Sequence, residues 1–205
     1  MPRIYHFTHR DNLNLILAAQ GLCCDSGIGQ DRYSNVGNRD IKSRRFRCNV
    51  PVAPFGVVAD YVPFYFAVRS PMLFAIHRGN VPSCAYGQDQ VVYLICNTED
   101  VVGNLQCCFS DRNAAKNIAS FYNDMNQMNG VIDWPLMQAH YWANTEDDTE
   151  RRERRMAEFL IHKFVPISFV RGIGTYDQPN RDYIDHTLRE NGVSIPTAVK
   201  REWYF

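Results

Sequence analysis

Asp60-Tyr61-Val62-Pro63-Phe64-Tyr65-Phe66-Ala67-Val68-Arg69-Ser70-Pro71-Met72-Leu73 is the stretch on which the fold turns. Around Val62 to Ala67 it is aromatic and β-prone, which predicts a strand suited to a pleated, partly buried surface. Then the pattern changes: Ser70 is a helix N-cap, Pro71 takes the first helical position, where its missing N–H costs nothing, and Gly79 stops the helix. A strand passing at once into a short helix recurs on either side. Upstream, Arg3-Ile4-Tyr5-His6-Phe7-Thr8 alternates, and Asp11 then offers a cap to a segment with Leu13, Ile16 and Leu17 at helical spacing, closed by Gly21. Downstream, Gln90 to Cys96 reads as a strand followed by a helical turn capped by Thr98. Gln106 to Phe109 reads as a short strand leading into a helix from Ser110 or Asp111 to near Gln127.

Asp133-Trp134-Pro135 opens a further helical turn, and Glu158 to Phe164 and Val170 to Tyr176 are strand candidates. A last helix runs from Pro179 to Glu190 into Asn191-Gly192, and a terminal strand ends in Trp203-Tyr204-Phe205. Short strands and helices mixed without βαβ regularity predict an α+β fold rather than a doubly wound sheet. Residues 23 to 56 carry Gly27, Gly29, Gly37, Pro51 and Pro54 and little apolar periodicity; connections of that length are more often functional than incidental.

The chain has 205 residues, 45% of them hydrophobic and 13% aromatic, which excludes a disordered or fibrous protein and predicts one domain over residues 1–205. Lys+Arg 22 balances Asp+Glu 22, so the chain is not one that coats nucleic acid nonspecifically through many phosphate contacts. No apolar run approaches the ~20 residues of a membrane span, and Met1 to His6 lack the apolar stretch of a signal peptide. A cytoplasmic protein with no membrane partner is expected. Seven cysteines with no C-x-x-C pair predict reduced, packed thiols rather than a disulfide framework or a metal site. Phosphate-loop and dinucleotide glycine motifs, H-E-x-x-H and G-x-S-x-G are all absent.

What remains for chemistry is dispersed. Positive charge gathers over Arg39 to Arg47, whereas Glu150 to Arg155 alternates in sign and reads as a solvated helical face. His6 either serves a site or sits satisfied on its strand, and Tyr65 and Phe66 are core aromatics or the wall of a site. Glu158 opens an apolar strand, where a carboxylate faces water at the strand end or lines a cleft.

The order of these pieces resembles the His-Tyr-Glu group of ADP-ribosyltransferases and, within it, the DarT family of DNA-modifying toxins. Tyr5-His6-Phe7-Thr8-His9, Arg44-Arg45-Phe46-Arg47 before Val50-Pro51, Asp60 to Phe66, Arg69 to Leu73, Tyr141-Trp142-Ala143, Glu158-Phe159-Leu160 and Trp203-Tyr204 carry that resemblance over nearly the whole chain. It implies an ADP-ribosyltransferase fold in which a split central sheet is flanked by helices and NAD, the co-substrate, lies across the split. By the same resemblance His6, Phe7 and Thr8 would hold the adenine-side ribose and the nicotinamide amide. Leu15 and Cys23 would line the adenine pocket, and Tyr65 or Phe74 would stack on nicotinamide. Glu158 would accept a hydrogen bond from the nicotinamide-ribose 2′-OH and support the oxocarbenium-like transition state, a role only a carboxylate fills well.

Transferases that modify protein side chains often carry Gln or Glu two residues before the catalytic Glu; Met156 stands there, which argues against a protein acceptor. The resemblance implies transfer to thymine N3 in single-stranded DNA, with Arg45 either taking the acceptor proton in a desolvated site or stabilising the thymine anion and the NAD phosphates. Arg44, Arg47, Tyr141, Trp142 and Arg154 would meet the DNA, joined by Arg151, Arg152 and Arg155; Trp142 stacks a base or packs in the core. Residues 28–47 would cover NAD and residues 111–158 would recognise the acceptor. The resemblance further implies a toxin whose modification is removed by a macrodomain antitoxin, with no metal involved. The alternatives are the same transfer to guanine, or an inactive module that binds NAD or nucleic acid.

Overall fold

The structure is a computed structural model describing residues 2–28, 39–82, 84 and 86–205. The central part of the expected NAD cover, residues 29–38, lies outside the described residues. In chain order the elements begin with β1 (Arg3–His9), α1 (Asn12–Ala18), β2 (Gly21–Cys23), α2 (Arg39–Arg45), β3 (Tyr61–Tyr65) and α3 (Pro71–His77). There follow β4 (Val91–Asn97), α4 (Thr98–Val101), β5 (Cys107–Ser110), β6 (Phe121–Tyr122), α5 (Met128–Val131) and α6 (Trp134–Gln138). The chain closes with α7 (Arg151–Arg154), β7 (Glu158–His162), β8 (Phe164–Pro166), β9 (Gly172–Thr175), α8 (Gln178–Glu190) and β10 (Thr197–Val199).

Eight strands form one mixed sheet in the order β10-β9-β4-β1-β3-β7-β5-β6, and β2 pairs with β8 beside it. The sheet parts in its middle. β1 runs antiparallel to β4 in register from Arg3–Asn97 to His9–Val91, yet meets β3 only at Tyr5–Tyr65. Beyond that point β3 stays paired with β7, from Tyr61–His162 to Tyr65–Glu158. The strand residues alternate as a sheet with both faces covered requires. Val92, Leu94, Phe64, Phe159 and Ile161 point into the core under α1 and α8, where Leu13, Ile16, Ile184 and Leu188 meet them. On the other face Tyr93 and Val91 join Leu73 and Ile76 of α3, while Tyr61 and Leu160 pack under Val50 and Val58.

Of the caps read from sequence, Ser70 closes α3, its Oγ accepting from Leu73 N at 3.2 Å. Asp11 and Thr98 do not cap: the side chain of Asp11 makes no bond to the first turn of α1, and Thr98 is itself the first residue of α4, its Oγ1 donating to Pro2 O at 3.0 Å. At the start of α8, Asp177, which the sequence reading does not name, accepts from Asn180 N at 2.9 Å. Two further expectations are corrected. Residues 111–127 do not form a helix but a loop, the short strand β6 and a 3-10 turn over Met125–Gln127. Asp111 pinches the loop shut, donating its N–H to Ser120 O at 3.2 Å and accepting Ser120 N on Oδ1 at 2.9 Å, and Asn113 Oδ1 takes the N–H of Ala115. Such side-chain bonds compete with the helical ladder.

The chain also does not end in a strand. β10 is the edge strand, and Arg201–Trp203 turns under the sheet so that Tyr204 donates its hydroxyl to Val91 O at 2.8 Å. Gly174 makes room for this: a Cβ there would stand 2.5 Å from the Trp203 ring.

Candidate active site

Where the sheet parts, four elements bring their polar groups together. Glu158 is the first residue of β7 and only 1% exposed; its cross-strand partner is Tyr65 at the end of β3. Arg45 ends α2 and reaches in from the long connection, 6% exposed, to donate from Nη1 to Glu158 Oε2 at 2.8 Å. From the β5–β6 loop, Ala114 N donates to Glu158 Oε1 at 3.0 Å. Among the described residues each carboxylate oxygen thus accepts one side-chain or amide hydrogen bond and keeps a second lone pair for a ligand hydroxyl. Ser110 Oγ accepts the N–H of Glu158 at 3.3 Å and so holds the residue's backbone in place.

Burial alone would pull Arg45 down, but the Glu158 carboxylate more than offsets it, and the guanidinium stays raised above its ordinary value and fully charged. Among the described residues its Nε and Nη2 are buried without a partner. A buried charged donor left unpaired is costly. These two positions suit oxygen-rich, anionic groups such as phosphates and ribose hydroxyls.

The first strand supplies the opposite wall. His6 donates Nδ1–H to Pro63 O at 2.8 Å, and because a carbonyl can only accept, this bond fixes the tautomer and leaves the Nε2 lone pair free in the neutral ring. Burial lowers the His6 pKa; the Pro63 bond and Asp25 oppose the shift, and Lys42 and Arg45 add to it. Phe7 stacks on Tyr65 at 5.6 Å and 12°, fixing that ring beside Glu158. The Tyr65 hydroxyl is held protonated, its pKa pushed well up by burial first and by the Glu158 charge second. Thr8 is turned inward and its Oγ1 accepts from Asn12 Nδ2 at 2.9 Å. Cys23 sits half-buried on β2 with its thiol raised by burial, and Leu15 lies on the exposed side of α1.

A groove of about 870 Å³ is lined by Asn113 and Met156, close in sequence to Ala114 and Glu158, and not by Glu158, Arg45, His6 or Tyr65 themselves. Phe74 and Trp142 line it with Tyr141, Asn113, Met156 and Lys116. Of the two rings named for nicotinamide stacking, Tyr65 stands at the Arg45–Glu158 pair; Phe74 belongs to the groove, edge-on to Trp142 at 5.9 Å and Phe205 at 5.0 Å. Tyr141 is 82% exposed, whereas Trp142 is mostly buried against these rings. Arg44 and Arg47 are exposed on and after α2.

The run 150–155 is not one solvated face. Arg154 grips Asp148 at 2.6 Å and Asp133 at 3.2 Å. Arg155, 3% exposed, donates to the carbonyl oxygens of Leu136, Ala139 and Val68. Arg155 is therefore not a phosphate contact: it ties α6 and the end of the β3 segment to the turn entering β7. Its burial lowers its pKa to about 10, still charged at neutral pH. The Ala114 amide was not legible in the sequence because every residue offers one; Asn113 was read only as part of a helix, and Arg155 as part of a charged run that meets DNA phosphates. Among the described residues no group of three His, Cys, Asp or Glu is placed to hold a metal, and no helix is long and apolar enough to cross a membrane.

A sheet that parts over a buried glutamate, with a histidine on the first strand and an arginine brought in by the connection, defines the class: an ADP-ribosyltransferase, built to support a ribosyl cation as nicotinamide leaves. Comparison with known proteins narrows it. The family model described as "ssDNA thymidine ADP-ribosyltransferase, DarT" matches residues 5–205. A DNA ADP-ribosyl transferase of Escherichia coli O127:H6 is 33% identical, over 98% of this chain and 93% of that protein. The structure of Thermus sp. 2.9 DarT in complex with ADP-ribosylated ssDNA superposes with a TM-score of 0.91 at 32% identity, covering 99% of this chain and 96% of that one. The same protein in complex with NAD+ gives 0.87 at 31% identity, with 99% and 97% covered. This chain belongs to the DarT family and is an NAD-dependent DNA ADP-ribosyltransferase.

Proposed function

We propose that the protein transfers ADP-ribose from NAD to N3 of thymine in single-stranded DNA, and that the Arg45–Glu158 pair is its catalytic centre. The observation that carries this reading is the Glu158 carboxylate, buried, positioned by Arg45 and Ala114, and still able to accept one hydrogen bond on each oxygen. Glu158 accepts from the nicotinamide-ribose 2′-OH and stabilises the positive charge at C1′ as the glycosidic bond to nicotinamide breaks. The thymine nitrogen then forms the new bond to C1′, and its imide proton passes to solvent.

With its pKa raised beside Glu158, Arg45 acts as a fixed cation rather than a base. Its free Nε and Nη2 face the phosphates or the thymine anion. His6 keeps the Nε2 acceptor for a ribose hydroxyl, Phe7 and Tyr65 form the nicotinamide wall, and Thr8 orders the end of β1. Leu15 and Cys23 border the adenine.

The groove of Phe74, Tyr141 and Trp142 is the seat of the DNA, where the exposed Tyr141 and Phe74 rings, backed by the buried Trp142, take base stacking worth about 1–3 kcal/mol per base. Arg44 and Arg47 lie free for phosphates, while Arg154 contributes by holding Asp133 and Asp148. Unpaired bases suit this site because thymine N3 is engaged in a duplex, and extruding it costs a few kcal/mol. Residues 28–47 cover NAD and residues 111–158 recognise the acceptor. The adduct blocks templating, so the protein acts as a toxin and a macrodomain antitoxin removes the ADP-ribose.

The test uses labelled NAD with two single-stranded oligonucleotides, one containing thymine and one lacking it, and the Glu158→Gln variant alongside the natural protein. Label is expected on the thymine strand alone. Glu158→Gln should lose transfer by at least about a hundredfold with NAD affinity nearly unchanged, because its contribution belongs to the transition state. Label on a guanine-containing strand without thymine would move the acceptor, and equal turnover in Glu158→Gln would remove the catalytic assignment.

A further inference from the structure

Beside Glu158 lies one polar side chain to which the reaction described above gives no task. Asn113 is buried in the β5–β6 loop, one residue before the amide that binds Glu158 Oε1. Its Oδ1 accepts from Ala115 N at 2.9 Å, which settles the orientation of the carboxamide: oxygen to the loop backbone, nitrogen toward Met156, which lines the same groove. Nδ2 finds only the thioether of Met156, at 3.9 Å, among the described residues. An amide nitrogen carries two donors and a thioether is a weak acceptor, so a strong donor is held at the groove wall with its capacity unfilled.

We propose that Asn113 Nδ2 donates a hydrogen bond to a ring carbonyl of the acceptor base and so aims N3 at C1′. The inference rests on thymine being that base. In thymine N3 lies between the C2 and C4 carbonyls, so a donor that holds either one fixes where N3 points. A cytosine held at the C4 side would set its amino group against the Asn113 donor, leaving donor facing donor, and such mismatches discriminate strongly in a desolvated site. Met156 fits the same task. Polarisable and uncharged, it packs against a base where protein-modifying relatives in this group place a side chain that hydrogen-bonds the acceptor residue.

Asn113→Asp keeps the oxygen that caps Ala115 and removes the donors; Asn113→Ala removes both. Transfer to an oligonucleotide with a single thymine is measured for each protein, and again with 2-thiothymine or 4-thiothymine in that place, since sulfur accepts hydrogen bonds poorly. The expected result is that both variants bind NAD as the natural protein does and lose at least about tenfold in kcat/KM for the oligonucleotide. One of the two thio substitutions should slow the natural protein yet have little further effect on Asn113→Ala, the coupling that marks a direct contact. If Asn113→Asp transfers normally, or both thio penalties are the same in natural and variant proteins, Asn113 is only a loop cap and the inference falls. A natural protein that labels no thymine strand overturns the acceptor reading itself, a separate result.

Discussion

At the residue scale, the chemistry comes down to how few charges are buried and how completely they are matched. Arg45 and Glu158 face each other at 2.8 Å with side chains 8% and 1% exposed, a pair that would be expensive to break by removing one partner. His6 belongs to the same economy, kept neutral by burial with its remaining nitrogen open. A histidine whose pKa falls on folding adds stability above its unfolded value and withdraws it as pH drops, because the folded state then resists a proton the unfolded chain accepts. NAD affinity should therefore hold at neutral pH and decline toward acid with a midpoint below the ordinary 6.5. Titration calorimetry from about pH 8 to pH 5 checks this, and His6→Gln should flatten the decline. A midpoint above 6.5 would mean that the ring is charged in the resting site.

Elements were legible where one rule dominates. β1, β3, β4 and β7 alternate or run apolar as strands do, and α3 and α8 carry side-chain caps with proline in the first turn. Segment 111–127 was not legible, because its helical spacing competes with Asp111 and Asn113, whose side chains bond the local backbone instead. Arg155 misled for a related reason: the periodicity of a charged run cannot reveal that three carbonyl groups, from Val68, Leu136 and Ala139, converge on one member of it. The last turn of the chain depends on one close approach. Gly174→Ala would press a methyl group on the Trp203 ring, which is already set edge-on to Tyr5 at 5.4 Å and to Tyr93 at 5.7 Å. Urea unfolding should report a loss of about 2 kcal/mol, typical of overpacking, with the slope unchanged. A neutral result would mean that Trp203 moves aside freely.

For the whole molecule, a formal net charge of zero sets the style of DNA binding. On the proposed reading, stacking in the groove rather than a field of phosphate contacts supplies most of the affinity. With about three phosphates neutralised, log K should fall with log salt at a slope near −2, at about −0.7 per contact for single strands. Fluorescence anisotropy with a short oligonucleotide measures it; a slope steeper than about −4 would point to an extended cationic track instead.

Sequence alone determined the α+β class, the strands that flank the site and the cap of α3, since these follow from local period and turn chemistry, while the family resemblance singled out Arg45 and gave Glu158 its role. The sequence left open whether Glu158 meets water or a cleft, whether Trp142 stacks or packs, and which of Tyr65 and Phe74 stands at the Arg45–Glu158 pair. Those were decided by tertiary structure. Arg45 and Glu158 lie 113 residues apart, and only the parting of β1 from β3 at Tyr5–Tyr65 opens the space in which they meet. Burial, charge matching and the facing of a free donor into a groove are properties of surfaces brought together from distant segments, and no local pattern encodes them.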